Sequence, residues 1–267
     1  MSVRQSFSPA MTVRQSSRFD GQAVVVTGAA RGIGLALAEG FAREGAHLAL
    51  ADVNADELQV EAARLRSSFG AQVICVAGDL STEGGAQALL EQTRQAFGDA
   101  QVLVNNAGGG VILPFLLHTP ETLRTTIDRN LWTTLWCTRA FLPSMVRHQY
   151  GRIVNLGADS VRNGLANHAA YNAAKGGVHG LTTGLAREFA TAGITVNTVA
   201  PCAVNSAELR RFVEEQPEVA QRFLSVIPMG RAAELDEVTS MVTYLASREA
   251  AFVTGQVISV NGGSTML

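Results

Sequence analysis

The feature that most constrains this chain is TGAARGIG, residues 27–34, set between a β-branched run and an amphipathic stretch. AVVVT (23–27) reads as a strand, and GIGLALAEGFAREG (32–45) has helical period with a glycine stop. Glycines at 28, 32 and 34 permit a tight turn and close approach of backbone to a ligand. A pyrophosphate can then lie against the amides and the positive dipole end of the helix. An acidic residue, Asp52, stands at the end of the second strand pattern, HLALAD (47–52). Strand, glycine turn, helix and a carboxylate about 20 residues on make a dinucleotide-binding unit. Gly28, Arg31, Gly32, Ile33 and Gly34 are its candidate phosphate-side residues, and Asp52 its ribose ligand.

The same alternation continues along the chain. Strand patterns recur at 72–79, 101–108, 151–157, 193–201 and 256–263. Helical patterns cover 55–70, 83–97, 119–146 (opened by a Thr cap), 169–190 and 234–247, with a helical, more variable segment over 206–224. Near-continuous apolar strands between helices imply a parallel sheet covered on both faces. Right-handed crossovers then give an α/β fold: one doubly wound Rossmann-type domain with a seven-stranded parallel sheet flanked by helices. No linker breaks the chain after residue 20, so the domain is expected over 20–267. Residues 1–19 are expected as a flexible tail, with a near-repeat (SVRQSFSPAM, TVRQSSRF) and an alternative start at Met11.

Composition excludes several classes. A formal charge of −2 offers no electrostatic reason for nucleic acid or an anionic membrane as partner. No apolar run approaches the roughly 20 residues of a membrane helix, and the first 17 residues lack the apolar core of a secretory signal. Cys75, Cys137 and Cys202 have no paired spacing for a metal or a redox couple, so reduced thiols in a cytoplasmic protein are expected. Apolar residues at 47% against 16% charged suggest extensive buried surface and oligomer contacts.

YNAAK (171–175) puts Tyr171 and Lys175 one helical turn apart. Removing hydride from an alcohol carbon requires a base for the hydroxyl proton. A free tyrosine, with pKa about 10, is too weak a base at neutral pH. An ammonium one turn away favours the phenolate and can also hold the nicotinamide ribose. A second donor should polarise the substrate oxygen.

TGAARGIG, the strand-end NNAG (105–108) and YNAAK, in this order, resemble the short-chain dehydrogenase/reductase family over nearly everything after residue 20. The resemblance implies Tyr171 as catalytic acid/base, Lys175 as its partner, and Asn130 of RNLW as the active-site asparagine. If Asn130 holds a water near Lys175, it would link the site to bulk solvent. The resemblance also implies Asp79 and Leu80 beside the adenine, and Asn106, Ala107 and Gly108 along the cofactor ribose. Val204 and Ser206 of PCAVNS would contact the nicotinamide amide, and the usual assembly is a homotetramer. Asp52 favours NAD, because it accepts from both ribose hydroxyls and repels the extra phosphate of NADP. Arg31 could receive that phosphate, but Asp52 stands where it would lie.

Two departures from the family pattern stand out. The serine expected 13 residues before the tyrosine is Ala158, and the nearest hydroxyl is Ser160. In an extended chain Ser160 would lie about 6 to 7 Å too far along. A bend over GADS could return it, so Ser160 is expected as the polarising hydroxyl, with no serine at all as the alternative; Asp159 is a poorer substitute. In PCAVNS, Cys202 replaces a glycine, so its backbone should avoid positive φ, and it is expected as a small apolar wall. His168, three residues before Tyr171, could face substrate but is expected as a satisfied surface histidine.

LWTTLWCTRAFLPSM, GGGVILPF and AAKGGVHGLTTGLAREF look similar to segments of bacterial aromatic cis-dihydrodiol dehydrogenases. That resemblance implies oxidation of a cis-dihydrodiol of a carboxylated or alkylated ring to a catechol. Arg162 and Asn163 would suit a ring carboxylate, and 206–224 has the composition of an amphipathic lid. The alternatives are a 3-oxoacyl-thioester reductase and a non-catalytic NAD-binding protein.

Overall fold

A computed structural model of the chain describes residues 17–266. The near-repeat and Met11 lie outside the described residues. The sheet is built from β1 (Ala23–Thr27), β2 (His47–Asp52), β3 (Val73–Ala77), β4 (Val102–Asn105), β5 (Gly151–Leu156), β6 (Ile194–Pro201) and β7 (Val257–Val260). Their order is β3-β2-β1-β4-β5-β6-β7, with every pairing parallel. All residues of β1, β4, β5 and β6 are buried, so these strands carry apolar side chains on both faces in place of an apolar–polar alternation. Winding reverses between β1 and β4, and a crevice opens there at the carboxyl ends of the strands.

One face of the sheet is covered by α1 (Gly32–Arg43), α2 (Ala55–Phe69) and α10 (Leu235–Ala246), with Leu37, Phe41, Leu58 and Val242 in one core. The other is covered by α3 (Glu83–Phe97), α5 (Thr133–His148) and α7 (Ala169–Phe189), which bring Leu89, Phe141, Met145 and Ala186 into the second. Each of these leucine, valine, methionine and phenylalanine side chains contributes about 1.5 to 3 kcal/mol of transfer free energy.

Several boundaries differ from the sequence reading. Phe19, expected in the flexible tail, is fully buried edge-to-face on Phe41 at 4.8 Å, and Arg18 is paired with Glu44. The packed domain therefore begins before residue 20, because a phenyl ring has apolar surface to bury wherever it lies in the chain. The strand expected at 101–108 stops at Asn105, where the chain leaves the ladder to form the cleft floor. The segment 119–146 does start from the Thr119 cap, in α4 (Pro120–Ile127), but a π-helical turn (Asp128–Trp132) separates it from α5. Residues 206–224 form two helices, α8 (Ala207–Glu215) and α9 (Pro217–Leu224), broken before Pro217. A short helix α6 (Ser160–Asn163) follows β5 and was not expected.

Candidate active site

At the switch point lies one large cleft of about 1080 Å³. Its floor is the glycine turn. Gly28 has φ +64°, and a Cβ there would stand 2.8 Å from Ala107 Cα, so only glycine fits against the β4 turn. Thr27 Oγ1 accepts from the Asn106 and Ala107 amides at 3.0 and 2.9 Å, and Asn106 Nδ2 donates to the Thr27 and Gly28 carbonyls at 3.0 Å. Asn105 donates to Thr138 and Asn155. The NNAG stretch thus ties the β1 turn to the central strands.

α1 starts with Arg31 at its N-cap, and no side chain caps it. The first amides of that helix therefore have no intrahelical or capping partner, and Gly32, Ile33 and Gly34 line the cleft. This is the donor set that a pyrophosphate requires. Asp52 Oδ2 accepts from the Ala30 amide and Oδ1 from Asn54, both at 3.0 Å. A carboxylate has about four acceptor sites, which leaves capacity for two ribose hydroxyls. Arg31 reaches Glu208 of α8 at 3.4 Å, an exposed pair. Asp79, Leu80, Asn106, Ala107, Gly108, Val204 and Ser206 line the cleft as well. Ser206 Oγ caps α8 by accepting from Leu209 at 3.2 Å, and Val204 bridges to Ala233. These residues fit a dinucleotide.

The candidate catalytic pair stands on α7. Tyr171 and Lys175 both line the cleft, with Lys175 Nζ 5.9 Å from the phenol ring centroid. Lys175 Nζ donates to the Leu156 carbonyl at 2.7 Å. A Cβ on Gly108 would stand 2.8 Å from Asn130 Oδ1 and 3.2 Å from Lys175 Nζ, so the asparagine and lysine adjoin the same glycine. Asn130 is fully buried in the π turn. It donates to the Thr126 and Gly109 carbonyls at 2.8 and 3.0 Å and accepts from the Gly109 amide at 3.2 Å. A π turn widens the helix by one residue, a feature frequent at functional sites.

Burial dominates the titration of the pair. The phenol of Tyr171, partly open to the cleft but closely walled by protein, is pushed up to about 12. Lys175 is driven down to about 8 by the same cause. The expectation of a lowered phenol is thus not met by these two residues alone, because desolvation outweighs the ammonium across the turn.

The loop after β5 bends, as the GADS reading required. Gly157 N donates to Val199 O at 2.8 Å, Asp159 N to Pro201 O at 3.0 Å, and Ala158 N to His179 Nε2 at 3.4 Å. Ala158 and Ser160 line the cleft. Ser160 Oγ donates to Asn172 Oδ1 at 2.6 Å, so its one proton is engaged. Asp159 is fully buried and turned to the C-terminal segment. It accepts from Asn261, Ser264 and Thr265 at 2.8 Å, Ser259 at 3.2 Å and Asn163 at 3.3 Å. Arg162, expected near a ring carboxylate, instead donates to Ser259 Oγ and the Val257 carbonyl, both at 2.8 Å. Its guanidinium is drawn to the open edge of β7, while Asn163 lines the cleft. Cys202 lines the cleft with φ outside the left-handed region, and burial raises its thiol.

Sequence reading missed His179 and Asn172. His179 continues the Tyr171–Lys175 face by one more turn, a spacing that could have flagged it. His168, expected at the surface, is half-buried at the cleft edge, its ring edge-to-face on Tyr171.

A family model described as enoyl-(acyl carrier protein) reductase matches residues 28–265. The chain belongs to the short-chain dehydrogenase/reductase family. Members use a nicotinamide cofactor, and the chain is an oxidoreductase of this family. It is 61% identical over 254 residues to a 2,3-dihydroxy-2,3-dihydro-p-cumate dehydrogenase of Pseudomonas putida, covering 95% of this chain and 98% of that protein. A 1,6-dihydroxycyclohexa-2,4-diene-1-carboxylate dehydrogenase of Acinetobacter baylyi is 36% identical over 94% of this chain and 99% of its own length. An L-sorbose reductase from Gluconobacter frateurii, solved with NADPH and L-sorbose, superposes with TM-score 0.87 at 29% identity, covering 95% of this chain and 100% of that one.

Proposed function

We propose that this chain oxidises a cis-dihydrodiol of a carboxylated or alkylated aromatic ring to the catechol, with NAD as oxidant. The observation that carries this reading is the Tyr171–Lys175 pair in the cleft of a chain 61% identical, along nearly its whole length, to a p-cumate dihydrodiol dehydrogenase. Tyr171 takes the proton of the reacting hydroxyl, and Lys175 passes charge and protons to it from below. Asn130 fixes the 108–110 turn that faces them and holds the water linking Lys175 to solvent. When bound, the oxidised nicotinamide supplies the hydride acceptor and a positive charge that favours the phenolate. In the ring ketone so formed, the carbon bearing the second hydroxyl gives up its C–H proton and the ketone oxygen takes one up, which makes the ring aromatic and draws the oxidation forward.

Asp52 supports NAD over NADP, since a 2′-phosphate would meet a carboxylate already fixed by two amides. Arg31, the residue that could favour NADP, is paired with Glu208. Ser160 is the loop's available hydroxyl only when it leaves Asn172. We further propose a homotetramer in the cytoplasm. Trp132, 42% exposed and stacked on Trp136 at 5.6 Å, supports association, and the three free thiols support a reducing compartment.

The test is the appearance of reduced cofactor absorbance when NAD and a panel of aromatic cis-dihydrodiols are added, with Tyr171→Phe as control. Turnover of 3-oxoacyl thioesters with NADPH in place of the diols would favour the reductase reading. Silence across the panel with cofactor still bound would favour a binding protein.

A further inference from the structure

The edge of the cleft carries an imidazole that the proposed mechanism leaves unused. His168 is the N-cap residue of α7, three residues before Tyr171. The two rings meet edge-to-face, with centroids 6.1 Å apart and planes at 77°, and both line the cleft. His168 Nδ1 lies 2.7 Å from the Ala166 carbonyl. A carbonyl oxygen only accepts, so Nδ1 carries the hydrogen. In the neutral ring Nε2 is then an acceptor, held in one tautomer.

Several neighbouring donors already have a partner. Ser160 gives its proton to Asn172, Lys175 donates to Leu156 O, and the Asn130 amide donates to two carbonyls. Ala158 presents a methyl group where a hydroxyl would be expected. A substrate with a single alcohol engages Tyr171 and brings no second donor to the His168 ring that lines the cleft beside it. A second hydroxyl on the adjacent carbon of the ring supplies the donor that Nε2 lacks.

We propose that His168 is a specificity-determining residue for vicinal diols, its Nε2 accepting a hydrogen bond from the hydroxyl beside the one oxidised. The inference rests on the dihydrodiol reading and states which residue recognises the diol. It explains how a site can select two adjacent hydroxyls when its loop offers Ala158 in place of a serine.

The experiment compares the parent, His168→Phe and His168→Gln proteins with NAD and two stable alcohols, cis-indane-1,2-diol and indan-1-ol. Phenylalanine keeps a ring against Tyr171 without an acceptor, and glutamine keeps an acceptor without the ring. The ratio of kcat/KM for the diol over the mono-alcohol is expected to fall on the order of tenfold in His168→Phe, as for one lost hydrogen bond. The loss should fall mainly on KM, and His168→Gln should recover most of the ratio. An unchanged ratio in His168→Phe, or a parent with no preference for the diol, overturns the inference. Failure of the substrate reading looks different: the parent prefers cis-indane-1,2-diol, His168→Phe removes that preference, and aromatic cis-dihydrodiols go unoxidised.

Discussion

The Ser160 hydroxyl donates to Asn172 Oδ1 at 2.6 Å, which ties the loop's nearest hydroxyl to the residue that follows the candidate base. Ser160 has one proton to give, so polarising a substrate would require breaking this bond. Ser160→Ala should therefore lower kcat by less than about fivefold, the scale of one neutral hydrogen bond. Ala158→Ser, which adds a hydroxyl directly to the cleft wall, should raise kcat on indan-1-ol by at least about tenfold. Steady-state rates of both variants decide the matter; a loss near a hundredfold in Ser160→Ala would make that hydroxyl the polarising donor.

Lys175 should reveal opposite demands from catalysis and folding. Lys175→Met is expected to lower kcat by about 10² to 10⁴ through loss of proton-transfer assistance. Its stability effect depends on pH, since burial lowers the folded pKa to about 8 from 10.5. Between those values the unfolded chain binds more protons than the folded one, so stability rises with pH across that window. The Tyr171 phenol, raised from 10.0 to about 12, opposes this only above pH 10. Denaturant midpoints of the parent should rise from pH 8 to 10, and Lys175→Met should flatten that rise.

His179 governs the acid side. Burial first, then the charges of Arg162 and Lys175, hold it down at about 4 instead of 6.5. The folded chain refuses a proton that the unfolded chain accepts, so stability present above pH 6.5 is lost as pH falls toward 4. His179→Gln, which keeps an acceptor for the Ala158 amide, should shrink the drop in denaturant midpoint over that range. An identical acid limb in both proteins would show that His179 does not control it.

Asp159 should be far more costly to remove than a surface carboxylate. Five donors converge on it, from α6 and from β7 onward to Thr265. Asp159→Leu removes the buried acceptor that these five donors share, and a loss on the order of 3 kcal/mol is expected by chemical denaturation. Asp159→Asn, which keeps one acceptor oxygen, should lose clearly less.

Asp52→Ser should move cofactor preference toward NADP. Removing the carboxylate takes away both the ribose acceptor and the charge opposing a 2′-phosphate. The ratio of NADP to NAD affinity, measured by cofactor fluorescence, should rise about ten- to a hundredfold. Thermal melting of each variant without cofactor separates this effect from lost folding.

The sequence by itself determined the parallel sheet, its element order and the nucleotide end of the cleft. These depend on local periodicity, on glycines that no other residue could replace, and on an acidic residue at a strand end. The Tyr171–Lys175 turn was readable for the same reason, since helical spacing places them on one face. Tertiary structure alone decided the rest. Phe19 became core because Phe41 lay across from it, and Arg162 left the cleft because the edge of β7 offered a carbonyl and a hydroxyl. The Ser160 proton went to Asn172, and His168 turned onto Tyr171. The phenol rose in pKa because surrounding protein excluded water. A side chain's partner, and the water around it, depend on which segments fold against it, and a one-dimensional pattern does not carry that information.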